Sequence, residues 1–286
     1  MLSKTINTII PTVSHSIPAL SVIKSFRSYS SETQLPSDIL RSTIYNYVKG
    51  EHNAVILHGL MGNRRNWNTF SKRIIKEYPQ WKVWGFDLRG HGDSSHLEGA
   101  YSIPALAEDV VRSMQFHNMF PEVIVGHSLG GKVSSEDIKD VQSIINITKN
   151  IPQPIHGFHD LITKVTDMGL SMTLAGWLST SLKPIPNTPY YHLIFDPNHM
   201  EELLESYKHL DYMNYLQSPP KEVQITLIRA ALNKSWNPSL IESLETIERD
   251  TNHQVQLASV HSNHWVHIEN PDGLLNVLKP SLEDYE

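Results

Sequence analysis

The chain has 286 residues, 40% of them hydrophobic, and a formal net charge of −6. This length and composition predict one sizeable hydrophobic core and argue against a broad basic surface for nucleic acid. The absence of cysteine excludes disulfides, a cysteine nucleophile and thiolate metal ligands, and no apolar run reaches the length of a membrane span.

The first 31 residues differ in composition from the rest of the chain. They contain Lys4, Lys24 and Arg27, eight serines and no acidic residue. A basic, serine-rich and acid-poor leader is typical of a mitochondrial or plastid transit peptide. We therefore expect residues 1–31 to be a transit peptide for the mitochondrion, with the plastid as the alternative, and residues 32–286 to be the folded domain. A merely disordered N-terminus is the competing interpretation.

The folded part begins with strands that alternate with helices. Apolar strands ending in glycine turns are predicted in residues 54–61, AVILHGLM, and 84–94, WGFDLRGHGDS. Apolar residues recur at helical spacing in residues 66–77 and 104–116. This alternation indicates a mostly parallel sheet covered by helices, so the predicted fold class is α/β.

Residues 122–132, EVIVGHSLGGK, contain the most informative motif of the chain. A β-branched strand runs into GHSLG, a G-x-S-x-G pattern. On a strand-to-helix turn this pattern exposes a serine Oγ at the top of a sheet, and the amide of the next residue stabilises a developing oxyanion. We therefore predict Ser128 as a nucleophile and the Leu129 amide as an oxyanion donor. A plain glycine turn is the alternative.

The same segment nearly matches a phosphate-binding loop. Gly126, Gly131 and Lys132 have the required spacing after a strand, but that pattern then needs Ser or Thr to bind magnesium. Val133 follows instead, and its methyl groups cannot coordinate the ion. Nucleotide binding is therefore disfavoured, and no cofactor or metal is expected.

Helices are predicted to dominate the segment from about 134 to 218. Ser134 and Asp137 form a helix-start signature. Residues 157–183 have the apolar spacing of two amphipathic helices, and residues 200–215 that of another. Such helices often form a cap over an acyl pocket, although they could equally be plain core.

Two strands and a histidine-rich loop are predicted near the C-terminus. The strands lie at 223–229 and 255–260, and the loop after the second contains His261, His264 and His267. Their spacing suggests a metal site, but no acidic or cysteine partner lies at ligand spacing nearby. We therefore interpret His261 and His267 as ordinary loop and helix-entry residues.

The order HGLMGN, FDLRGHGDS, GHSLGGK and NHWVH resembles the α/β-hydrolase superfamily over residues 44–282. Within it, GGK and HWVH are similar to the mitochondrial esterases of the abhydrolase domain-containing protein 11 type and their plant and bacterial relatives. The resemblance implies an α/β-hydrolase fold with a helical cap. It also implies His264 as the general base, although Asn263 replaces the usual glycine before it, and the Leu60 amide as the second oxyanion donor.

The chain departs from the family's pattern after the nucleophile. A helix and a sixth strand, on the order of 20 residues, would normally precede the cap. Here residue 134 already begins the predicted cap. We therefore infer that most of that helix and the sixth strand are missing. The strand at 223–229 must then pair with the fifth strand or leave unpaired edges.

This departure leaves the catalytic acid open, because the loop at 230–238 contains no acid. The remaining candidate that the resemblance supports is Asp196, which lies between Ser128 and His264 in the chain order of this fold. Its alternative role is that of an Asp-Pro turn residue. Asp87 is expected to hydrogen-bond backbone in a structural turn beside the site.

The sequence leaves two alternative functions. The first is an esterase- or lipase-like serine hydrolase that cleaves a small carboxylic ester or thioester through an acyl-enzyme. The second is a non-catalytic relative that binds an acyl ligand or a protein partner, which the missing strand and the open question of the acid motivate. Turnover of a chromogenic short-chain ester separates the two.

Overall fold

The computed structural model describes residues 4–5, 35–128, 135–233 and 236–283. Its strands are β1 (Lys4–Thr5), β2 (Ser42–Tyr45), β3 (His52–Leu57), β4 (Trp81–Phe86), β5 (Val123–Gly126), β6 (Leu182–Pro184), β7 (Tyr191–Leu193), β8 (Val223–Ala230) and β9 (Val255–Val260). Its α-helices are α1 (Asn68–Glu77), α2 (Ile103–Phe116), α3 (Ser135–Lys149), α4 (Phe158–Asp167), α5 (Met172–Ser179), α6 (Pro197–Lys208), α7 (Met213–Gln217), α8 (Pro238–Asp250), α9 (Val266–Glu269) and α10 (Pro271–Glu283). Within those helices, none is both long and apolar enough to cross a membrane.

The first sheet has the order β2-β4-β3-β5, and all of its pairings except that of β2 are parallel. Strands β3 and β4 are buried on both faces, which suits their β-branched and aromatic residues. Helix α1 covers one face together with α10, and α2 covers the other. The predicted α/β architecture is thus confirmed, and its helical covers lie close to the residues that periodicity indicated.

The second sheet, β1-β8-β9, is separate from the first. Its strands are parallel, and β1 pairs with β8 only at Val223 and Gln224. In the described parts of the chain, no strand ladder links β5 to β8. Strand β8 was expected either to pair with β5 or to leave unpaired edges, and among the described residues it does not pair with β5.

The cap contains α3 to α7 and the antiparallel pair β6–β7. Helix α3 packs on α6, where Gln142 and Lys149 both contact Glu201 at 3.1 and 2.5 Å. The buried Ile145 of α3 belongs to the same apolar core as Leu161 of α4. Helix α3 therefore packs together with the later helices of this segment.

The prediction of a single helix over residues 200–215 is wrong. The structure has two helices there, α6 and α7. Helix α6 ends at Lys208, and the carboxylate of Asp211 then accepts a hydrogen bond from the Met213 amide at 3.0 Å. That local bond forms a turn just before α7 and competes with continuation of α6.

We expect a family-like helix and strand inserted after Val133 to stabilise the protein. The inserted strand would give β8 a second neighbour beyond Gln224, on the edge opposite β9, where the described residues provide none. Each buried backbone group left unpaired costs about 1–3 kcal/mol, so we expect a gain of about 2–4 kcal/mol in unfolding free energy. Thermal melts of the two forms measure it, at about 2–4 °C per kcal/mol. Equal melting temperatures would contradict the inferred gap.

Candidate active site

The predicted nucleophile lies directly after β5. Gly126 is in register with Leu57 of β3, and the His127 amide donates to the Leu57 carbonyl at 3.1 Å. Ser128 then has φ +66°, a left-handed conformation that is uncommon for a residue with a Cβ. This is the strained turn that a nucleophile elbow requires. The predicted donor Leu129 lies outside the described residues.

The glycine turn after β3 lies against this elbow. A Cβ built on Gly59 would lie 2.9 Å from the Ser128 Cβ and 3.1 Å from the His127 Nδ1. Only glycine lets the two backbones approach so closely. The next residue, Leu60, is half-buried. In the parts of the chain that the structure describes, its amide has no hydrogen-bond acceptor. Leu60 therefore lies in the turn next to Ser128, where the prediction of a second oxyanion donor requires it.

Two buried histidines hold this glycine turn in place. His58 donates from Nδ1 to the Gly59 carbonyl at 2.8 Å and accepts from the Leu88 amide at 3.0 Å. His91 accepts from the Met61 amide at 3.0 Å. Burial lowers the pKa of His58 to about 4 and that of His91 to about 3, so both are neutral near pH 7. Both histidines therefore position the glycine turn. They belong to the HG and RGHG segments, but this role was not predicted from the sequence.

Asp87 has the structural role that was expected for it. Its carboxylate accepts hydrogen bonds from the backbone amides of Arg64 and Asp93 at 2.7 and 2.8 Å. Asp93 also contacts Lys183 of the cap at 3.0 Å. Burial opposes ionisation of Asp93, but hydrogen bonds from Arg64 and Lys183 outweigh it and lower the pKa of Asp93 to about 2. The turn is thereby tied both to the sheet and to the cap.

The loop after β9 brings the predicted base to the elbow. The His127 Nε2 donates to the backbone carbonyl of His264 at 2.9 Å. The rings of these two histidines lie 4.9 Å apart, and the His264 side chain stays open to solvent. Surrounding protein lowers the pKa of His264 by desolvation, and the charge of Glu269 opposes that effect. The structure therefore places His264 beside the residue that precedes Ser128.

His267 differs from the ordinary helix-entry residue that was expected. It is buried and stacks on Trp67, with ring centroids 3.9 Å apart. Within the described residues neither ring nitrogen has a hydrogen-bond partner, and burial lowers the pKa of His267 to about 4. His267 thus acts as an apolar ring that supports the elbow through Trp67 and His127. No group of three or more His, Cys, Asp or Glu side chains in the described parts of the chain is placed to hold a metal ion.

Asp196 caps helix α6. Its carboxylate accepts a hydrogen bond from the Asn198 amide at 2.8 Å, and its side chain is exposed. None of its described hydrogen bonds reaches His264. The structure defines Asp196 as the N-cap of α6. Its role as the catalytic acid stays a prediction.

The cap meets the loop that contains His264 through two tryptophans. Trp177 of α5 lies 5.9 Å from Trp265, measured between ring centroids. Trp265 follows His264 directly and is half-buried, as is Trp177. Because these two large rings lie next to each other, α5 lies against the loop that contains His264.

Comparison with known proteins agrees with this architecture. Residues 55–136 match the family model described as alpha/beta hydrolase fold. A marine microorganism esterase of known structure superposes with a TM-score of 0.68 at 20% identity, over 85% of this chain and 98% of the esterase.

Curated relatives match shorter stretches. The sn-1-specific diacylglycerol lipase ABHD11 of Mus musculus is 36% identical over 93 residues, which are 32% of this chain and 30% of the lipase. The 2-succinyl-6-hydroxy-2,4-cyclohexadiene-1-carboxylate synthase of Serratia proteamaculans is 33% identical over 27% of this chain and 29% of its own length. The chain thus spans less than a third of the length of either relative. It has the α/β-hydrolase fold and resembles proteins of the ABHD11 type.

Proposed function

We propose that the protein is a serine hydrolase that cleaves a carboxylic ester or thioester. In this proposal Ser128 attacks the carbonyl, His264 accepts the serine proton, and the Leu60 and Leu129 amides stabilise the oxyanion. The acyl-enzyme forms when the C–O or C–S bond of the substrate breaks and His264 gives its proton to the departing alcohol or thiol. Water then hydrolyses the acyl-enzyme, and no cofactor or metal takes part. The observation that carries the proposal is the left-handed Ser128 after β5, with the His264 loop hydrogen-bonded to its neighbour His127.

Asp196 is the proposed third member of the triad. Chain order and the family resemblance support this role, since Asp196 lies between Ser128 and His264. In a triad the acid orients the histidine and stabilises its charged form. The substrate is proposed to be a small acyl ester or thioester, bound between the cap and the elbow. No role for nucleic acid is proposed, because the chain has a net charge of −6.

Two measurements on the unmodified protein test this function. Covalent labelling by a fluorophosphonate probe reports an activated serine, and turnover of a chromogenic short-chain ester reports the complete reaction. We expect both to occur. A folded protein that is never labelled would contradict the proposal. The synthase among the relatives shows that similar chains differ in their named reactions, so ester turnover is the deciding measurement.

A non-catalytic binding function is the second candidate. Two observations favour it: among the described residues no strand ladder joins β5 to β8, and Asp196 makes the hydrogen bond of a helix cap. Such a protein would keep the fold and the pocket and bind an acyl ligand or a protein partner. Saturable binding of a short-chain acyl ester without turnover or labelling would favour this candidate over the hydrolase.

We also propose that residues 1–31 are a transit peptide for the mitochondrion, with the plastid as the alternative. Deleting them is expected to leave the protein in the cytosol, which imaging of a tagged chain measures. The described pairing lost is that of β1 with two residues of β8, so we expect unfolding free energy to fall by no more than about 1 kcal/mol. An unchanged organellar location would contradict the targeting role.

A further inference from the structure

A carboxylate holds the loop that carries the proposed base. Glu269, at the end of α9, accepts two hydrogen bonds on one oxygen: from the Asn263 amide at 2.8 Å and from the Asn263 side-chain amide at 3.0 Å. Asn263 directly precedes His264. A glycine at this position would make only the first of these bonds, so the asparagine side chain adds a second attachment.

The same loop is fixed at two further points. The Asn270 side chain donates to the His261 carbonyl at 3.2 Å, and His127 donates to the His264 carbonyl at 2.9 Å. The backbone is therefore held at residues 261, 263 and 264. Restricting the backbone on both sides limits the orientations of the base, which is the purpose of a supporting shell around a catalytic group.

We propose that Glu269 is a positioning residue for His264, acting through Asn263 and through its negative charge. The inference rests on the proposed hydrolase function. His264 gains a positive charge when it accepts the proton of Ser128, and a nearby carboxylate stabilises that charge. Glu269 follows His264 in the chain, so it is distinct from the acid that the chain order of the fold predicts.

The charged environment of His264 makes this role measurable. Among the described residues, the titratable groups that face His264 are His127, His267 and Glu269. Burial lowers the pKa of His127 well below its usual value and that of His267 to about 4. Burial thus disfavours the charged forms of both histidines, and Glu269 is the described acidic group whose charge acts on His264.

Two variants separate the hydrogen bonds from the charge. Glu269→Ala removes both, and we expect it to lower kcat for a chromogenic short-chain ester about 10- to 100-fold with little change in KM, since small misplacements of a catalytic group cost rates of this order. Glu269→Gln keeps an acceptor for Asn263 and is expected to recover part of kcat. It should also shift the acid limb of the kcat/KM profile to lower pH, because loss of the negative charge lowers the pKa of His264.

Asp272→Asn is the matched control, because Asp272 is a nearby exposed carboxylate that pairs with Arg73 and not with the loop. It should leave the rate and the pH profile unchanged. If Glu269→Ala keeps the wild-type rate and profile while wild type is labelled by fluorophosphonate, the positioning role is wrong and the hydrolase function stands. If folded wild type is never labelled, both proposals are wrong. Equal melting temperatures of the variants exclude loss of folding as the cause.

Discussion

Ser128→Ala is expected to abolish fluorophosphonate labelling and to lower kcat for ester hydrolysis about 10⁶-fold, the loss seen when a triad serine is removed. Ser128 supplies the oxygen that bonds to the acyl group, and alanine at the same place has no nucleophile. Ser95→Ala is a matched control, because Ser95 is an exposed serine outside the site. Labelling of Ser128→Ala at the wild-type rate would contradict the assignment of the nucleophile.

Ser128→Gly gives an independent structural test of the elbow. The left-handed conformation of Ser128 is strained for any residue with a Cβ, whereas glycine adopts it readily. We therefore expect Ser128→Gly to lose labelling like the alanine variant but to raise the unfolding free energy by about 1 kcal/mol. Thermal melts of the serine, alanine and glycine forms measure this difference. A glycine form that melts below wild type would show that the turn is not strained.

The features that could be predicted from the sequence are those encoded locally. Helix α1, helix α2 and strand β5 follow from side-chain periodicity, because each element buries one face or two faces in a regular pattern. The turn at Ser128 follows from the spacing of its glycines. The hydrogen bond from the Met213 amide to Asp211 is also local, and this turn explains how a continuous apolar pattern still yields two helices.

The features that could not be predicted depend on contacts between distant parts of the chain. His267 is buried because it stacks on Trp67, a residue 200 positions earlier. No local pattern distinguishes such a ring from an exposed loop histidine. Glu269 and Asn263 are close in sequence. The effect of their hydrogen bond on His264 nevertheless depends on His127, which holds the other side of the loop. Long-range placement therefore determines which polar residues support the site.

The proposal that Asp196 is the triad acid predicts that Asp196→Asn lowers kcat about 10⁴-fold, the loss measured for the corresponding amide in a serine protease. This substitution suits the structure. Asp196 caps α6 through its side-chain oxygen, and asparagine is about as good an N-cap as aspartate. The melting temperature should therefore stay unchanged, so that any loss of activity reports the missing carboxylate and not a weakened helix.

Asp196→Ala completes this test. It removes the cap as well as the charge, so it should cost about 1 kcal/mol of stability while lowering kcat no further than Asp196→Asn does. If Asp196→Asn lowers kcat less than tenfold, Asp196 is a helix cap and not the acid. His264 would then depend on the contacts that hold its loop, from Glu269 through Asn263 and from His127. Combining Asp196→Asn with Glu269→Ala distinguishes these cases, because a non-additive loss means that both carboxylates act on the same histidine.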